Sequence, residues 1–183
     1  MNPVCFQSRL LRSRGMTLTE ILVAVVILAL LMGIAFPAYR GLQSRARATQ
    51  CMAHLRQIGA SLNLYAGDHG LRFPIMVAIR EDKNDDQPAL DTVLAPYVNE
   101  GDQSFCCPGD HKDLCEKTGT SYLWNSVLNG QRIGDLNFLG ITKNESGIPL
   151  VADKENFHPS VGDQVNILYG DGHVDKNLTF TVD

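Results

Sequence analysis

From Ile21 to Phe36 the chain reads ILVAVVILALLMGIAF, sixteen residues that are all apolar apart from Gly33. A helix that is apolar on nearly every face has to lie in lipid or be covered by protein. With Leu18 before the run and Ala38 and Tyr39 after it, the segment approaches the ~20 residues that span a bilayer. Three readings follow from this stretch alone: a secretory signal, a plain membrane anchor, and a signal cut before the apolar run. The secretory signal fits poorly. Its cut should follow the apolar region at small residues. The best candidates, Gly33 and Ala35, are followed directly by Phe36 and Pro37.

Glu20 stands at the mouth of the run. A carboxylate there opposes insertion by roughly 2.5–3.5 kcal/mol if it lies deep, and less near the interface. It is either an interfacial acid facing water or a functional group with a cation close by. A cut after Gly15 would supply such a cation, because the new amine would sit on Met16, one helical turn before Glu20. The arginines do not orient the segment. Arg9, Arg12 and Arg14 precede it, and Arg40, Arg45 and Arg47 follow it.

The order Gly15-Met16-Thr17-Leu18-Thr19-Glu20-Ile21-Leu22, behind a short Arg-containing leader, resembles the type IV pilin-like signal. The resemblance implies that a prepilin peptidase cuts after Gly15 and methylates Met16, and that Glu20 guides filament assembly. Met16 stands where the family usually has Phe. Pro37 falls where the family often has a helix-kinking proline. The implied setting is a bacterial inner membrane crossed once, with a cytoplasmic N-terminus and a periplasmic head. The implied partners are prepilin peptidase, other copies of the chain, minor pseudopilins and an inner-membrane assembly platform. Paired with the amine of an adjoining subunit, Glu20 would set axial register, since a misplaced copy would leave both charges dry and unpaired.

After Pro37 a helical pattern resumes, with Leu42, Ala46, Thr49, Met52, Leu55, Ile58, Leu62 and Tyr65 at spacings of three and four. It stops near Gly67-Asp68-His69-Gly70, and Pro37 and Gly41 are the points at which it would kink or melt. The expected organisation is a cleaved leader over 1–15, an assembly helix over 16–39, its amphipathic continuation over 40–68, and an α+β head over 69–183. In the head, residues 90–98 read as a short helix. Ile148–Ala152, Val165–Tyr169, His173–Asp175 and Leu178–Val182 read as strands of a small antiparallel sheet packed on the helix. Asp82, Asn84 and Asp86 imitate an EF-hand start, but Gln87 and Val93 stand where that motif needs Gly and Glu.

A second set of motifs resembles a pseudopilin group with a processing-associated C-terminal motif. It comprises Cys51–Gly59, Tyr65–Asp68, Phe73-Pro74, Cys107-Pro108-Gly109-Asp110, Ser121-Tyr122 with Asn125, and Asn166–Val174. That motif has nine residues between its His and its Asp-Gly, whereas His158 and Asp171 are separated by twelve. These matches resemble the major pseudopilins of type II secretion more than adhesive pilins. They also imply a structural calcium near the C-terminus, for which Asp153, Asp163 and Asp171 are the candidate donors. The favoured alternative is that Asp171 only shapes the Gly-Asp-Gly turn.

The chain carries a net charge of -4, and loss of residues 1–15 would take it to -7. No nucleic acid is an expected partner of such an acidic body. Cys5 would leave with the leader, and Cys51, Cys106, Cys107 and Cys115 would remain. Adjacent Cys106 and Cys107 pair badly with each other. The first expectation is therefore that Cys51 joins one of them and Cys115 the other, with free buried cysteines as the alternative. A zinc site from Cys106, Cys107, Cys115 and His111 lacks the usual C-x2-C knuckle. No catalytic constellation stands out and no enzyme is expected. An enzyme would need a pocket joining His158 or His173 to carboxylates. The remaining rival is a membrane-anchored ligand- or metal-binding module, which would keep its N-terminus uncut and tolerate Glu20→Ala.

Overall fold

The computed structural model describes residues 16–99, 101, 103–159, 161–162 and 165–176. The expected strand over 178–182, together with Gly15 and Asp163, lies outside the described residues. The chain divides between Arg40 and Gly41 into two units. Helix α1, Leu18–Asp68, crosses that division and is assigned as helix through Pro37 and Gly41. Neither residue melts it, contrary to one of the expected outcomes.

In the first unit every residue from Met16 to Arg40 is exposed, including all the large apolar side chains. By length and composition α1 is apolar enough to cross a membrane. An apolar surface of this size needs lipid or other helices to cover it.

In the second unit the C-terminal part of α1 buries Ala48, Cys51, Leu55, Ile58, Gly59, Ser61, Leu62 and Ala66. These positions recur at three and four and form a single face. The residue spacing predicts this face one step away at its start. Leu42, Ala46 and Thr49 are exposed, and Met52 and Tyr65 are only half-buried. The reason is tertiary: packing begins at Ala48 and Cys51, where the head first covers the helix.

Short helices α2 (Leu90–Val93) and α3 (Leu114–Thr118) follow, with a 3-10 turn at Ala95–Tyr97. The sheet contains β1 (Tyr122–Trp124), β2 (Pro149–Asp153), β3 (Ile167–Tyr169) and β4 (Val174–Asp175), antiparallel in the order 1-2-3-4. The fold is thus α+β and pilin-like, one long N-terminal helix on a four-stranded antiparallel sheet. Strand β1 was not anticipated, because three residues are too few to display a period of two. Tyr122 faces Asp153 and Trp124 faces Val151 across the first pair, and Leu168 faces Val174 across the last.

Helix and sheet meet closely at Gly59. A Cβ there would stand 3.2 Å from Leu168 Cδ2, so glycine lets the helix backbone approach β3. Leu55, Ile58, Leu62, Trp124, Leu128, Ile148 and Leu168 are fully buried around this contact. Each buried aliphatic chain contributes roughly 1.5–3 kcal/mol. Phe73 packs edge-on against Trp124 with ring centroids 5.6 Å apart.

Candidate functional site

The N-terminus of α1 is closed by its own side chains. Thr17 directly precedes the helix, and its backbone N–H donates to Glu20 Oε2 at 2.8 Å. Its hydroxyl donates to the same oxygen at 2.9 Å, and the Glu20 backbone N–H lies 3.3 Å from Thr17 Oγ1. This is a reciprocal capping box. It satisfies donors that a helix start otherwise leaves unpaired. Both bonds to the carboxylate fall on Oε2, and both residues are exposed. The T-x-x-E spacing was readable in the sequence. The charge of Glu20 by itself does not reveal this capping role.

The four cysteines form two pairs, Cys51–Cys107 and Cys106–Cys115. Cys51 thus takes the second of the adjacent cysteines and Cys115 the first, within the expected pattern. The zinc set is not brought together, because Cys106 and Cys107 engage different partners and His111 is exposed.

Asp110 organises the loop that holds these bonds. Its carboxylate accepts from the backbone N–H groups of Lys112, Leu114 and Cys115 and from the Ser121 hydroxyl. Burial pushes its pKa upward, but the Cys115 N–H, the Ser121 hydroxyl and the other two donors together hold it below the usual value. Arg80, 2% exposed, is paired with Asp91 and also donates to the carbonyls of Asp85 and Thr118. The pair closes the 80–91 segment on itself, and the bond from Arg80 to the Thr118 carbonyl ties it to the end of α3. No sequence signal singled out either residue.

The histidines part company. His173 sits on the β3–β4 turn, where its Nδ1 and backbone N–H both meet Asp171 Oδ1 and its ring stacks on Tyr169. His158 is buried, with Nε2 3.2 Å from Cys107 Sγ rather than beside a carboxylate. Burial holds its pKa below the ordinary histidine value, helped by positive charge on Lys176, His111 and Arg47.

The candidate calcium donors stand in different surroundings. Asp171 is committed to its turn through His173. Asp153 is 4% exposed, and its Oδ2 accepts from the backbone and side-chain N–H of Asn166 at 3.0 and 2.7 Å. Its Oδ1 and Asn166 Oδ1 are buried without partners among the described residues. Burial raises the Asp153 pKa to about 6 against the opposing Asn166 bonds and the Lys176 charge. The unpartnered oxygens of Asp153 and Asn166 are hard donors of the kind calcium takes, while Asp171 spends its Oδ1 on the turn.

Residues 10–36 match a family model described as the prokaryotic N-terminal methylation motif. The match supports a type IV pilin-like structural subunit. It implies processing by prepilin peptidase and pilus-type assembly. The motif and the apolar helix together point to a single-pass membrane-anchored protein. No curated protein and no solved structure matches the chain.

Proposed function

We propose that this chain is a pseudopilin, cut after Gly15, methylated on Met16 and polymerised into a pseudopilus that serves type II protein secretion. The observation that carries this reading is the methylation motif over residues 10–36, which runs into the exposed apolar stretch of α1. In such a filament the segment Ile21–Phe36 of many copies would pack together and exclude water from a common centre. Glu20 would accept the Met16 ammonium of an adjoining copy. Thr17 occupies Oε2, so the second carboxylate oxygen is the one offered to that ammonium. The pair would be desolvated, so loss of either charge would disfavour docking in the correct register.

The head would face the periplasm, where paired cysteines are stable. Prepilin peptidase, other copies, minor pseudopilins and an inner-membrane assembly platform would be the partners. A structural calcium remains part of this proposal, with support confined to the unpartnered oxygens at Asp153 and Asn166. A rise in melting temperature with added Ca2+ that Asp153→Asn removes would support it. No such rise in the parent chain would end it.

One observation favours a second reading, a tethered binding module. A cavity of about 780 Å3 beside the sheet is lined by Leu123, Phe138, Val165, Ile167 and Lys176 among others, a size that small-molecule sites share. Mass spectrometry of the native chain separates the two readings. The pseudopilin requires loss of residues 1–15 and one methyl group added to Met16. A chain that keeps residue 1 overturns it.

A further inference from the structure

Cys51 on α1, Cys107 in the loop after α2, and His158 after β2 converge although they are far apart in sequence. The two sulfurs and one His158 ring nitrogen all lie within 4.8 Å of one another, and all three residues are buried. We infer that the reduced form of this cluster is a binding site for one thiophilic metal cation, zinc or a chemically similar ion, held by Cys51 Sγ, Cys107 Sγ and His158 Nε2.

The surroundings are shaped for such a site. Gly109 leaves the space that His158 fills, since a Cβ there would stand 2.4 Å from His158 Cε1. The Gly109 backbone N–H points at Cys107 Sγ from 3.4 Å, a donor that stabilises a thiolate. Asn156 Oδ1 accepts from the His158 backbone N–H at 3.1 Å and fixes the loop that carries the ring. Two thiolates and one imidazole are a recognised zinc donor set, and they leave the fourth tetrahedral position open. Ligands about 2.3 Å from a shared ion place two sulfurs about 3.8 Å apart, so the bonded sulfurs must move apart once reduced to receive the ion.

In the oxidised chain the sulfurs are bonded to each other and unavailable. Two electrons and two protons from a reductant, such as a dithiol that becomes a disulfide, convert the bond into two thiols. The cation then displaces both thiol protons to solvent, and the imidazole, protonated on Nδ1, offers its Nε2 lone pair. The cluster therefore joins α1 to the loop in two alternative ways, by a covalent bond when oxidised and through a metal when reduced.

The test uses the full chain in detergent, reduced with a water-soluble phosphine and titrated with Co2+. The expected result is one Co2+ per chain with a sulfur-to-cobalt charge-transfer band, absent from the oxidised chain. His158→Ala should weaken binding by at least about tenfold. A variant with Cys5, Cys106 and Cys115 all changed to Ser should keep the band. No band in the reduced parent chain overturns the inference. So does a band that His158→Ala leaves unchanged, or one that the triple serine variant loses while its far-UV spectrum is retained. The histidine and serine variants alter different residues, so either one decides the matter if the other fails to fold.

Discussion

The backbone N–H of Thr17 donates to the Glu20 carboxylate across 2.8 Å, while the Thr17 hydroxyl donates to the same oxygen. One carboxylate thus caps its own helix and, in the proposed filament, receives a neighbour's ammonium. These two roles separate on mutation. Glu20→Gln keeps an acceptor for Thr17 and loses the charge, whereas Glu20→Ala loses both. Thr17→Ala weakens only the cap, by about 0.5–2 kcal/mol. Filament incorporation should fall strongly in both Glu20 variants and only modestly in Thr17→Ala. Amide exchange in micelles should show the first helical turn frayed in Glu20→Ala and Thr17→Ala but not in Glu20→Gln. Normal filaments from Glu20→Gln would remove the charge-pairing role and leave only the cap.

The two disulfides should differ in weight. Cys51–Cys107 closes a separation of 56 residues and Cys106–Cys115 a separation of 9. Loop-closure entropy assigns about 4 kcal/mol to the first and about 3 kcal/mol to the second. Thermal melts of the Cys51→Ser/Cys107→Ser and Cys106→Ser/Cys115→Ser chains should rank in that order, the first lower. Peptide mapping without reductant should recover the same two linkages. A 51–106 linkage would refute the pairing.

Asp153 should make stability depend on pH. Its pKa is raised to about 6 by burial, so the folded state binds its proton more tightly than the unfolded state does. Its contribution is therefore fully present below the unfolded value of about 4, and it is lost as pH rises toward 6. The loss amounts to roughly 1–3 kcal/mol above that window. Asp153→Asn retains an acceptor for Asn166 and cannot ionise. In the absence of divalent cations it should unfold at higher denaturant than the parent chain at pH 8, and the gap should close at pH 4. A destabilised Asn variant at pH 8 would contradict this account.

Asp91→Ala should destabilise the head by about 3–5 kcal/mol, because it leaves the buried Arg80 guanidinium without its counter-charge. Arg80→Met/Asp91→Ala should recover much of that loss by removing the stranded charge. Denaturant midpoints of the two variants measure the difference, and equal midpoints would mean that the ion pair does not hold this region.

Asp110 should matter at the acid end of the scale. The four donors around its carboxylate outweigh burial and depress its pKa, so the stability it supplies is present above about pH 4 and is lost as pH falls through its lower folded value. Asp110→Ala should lower the melting temperature at pH 7 and flatten the acid limb of the stability profile. An unchanged acid limb would show that other carboxylates dominate it.

The sequence by itself determined what is local. A sixteen-residue apolar run dictates a helix that needs lipid or protein around it, and the Gly-Met-Thr-Leu-Thr-Glu spacing marks its start and its processing signal. The stop of α1 near Gly67–Gly70, the α2 region, strands β2 and β3 and the Gly170–Gly172 turn were also legible. They rest on periodicity and turn chemistry within a few residues.

Tertiary structure decided everything that depends on meetings between distant segments. It shifted the buried stripe of α1 to begin at Ala48, chose Cys107 over Cys106 as the partner of Cys51, and set His158 against sulfur instead of a carboxylate. It also paired Arg80 with Asp91 and stranded one oxygen of Asp153. Each of these outcomes depends on shape and burial at a particular contact. Residue spacing along the chain does not encode which side chains will share the same dry space.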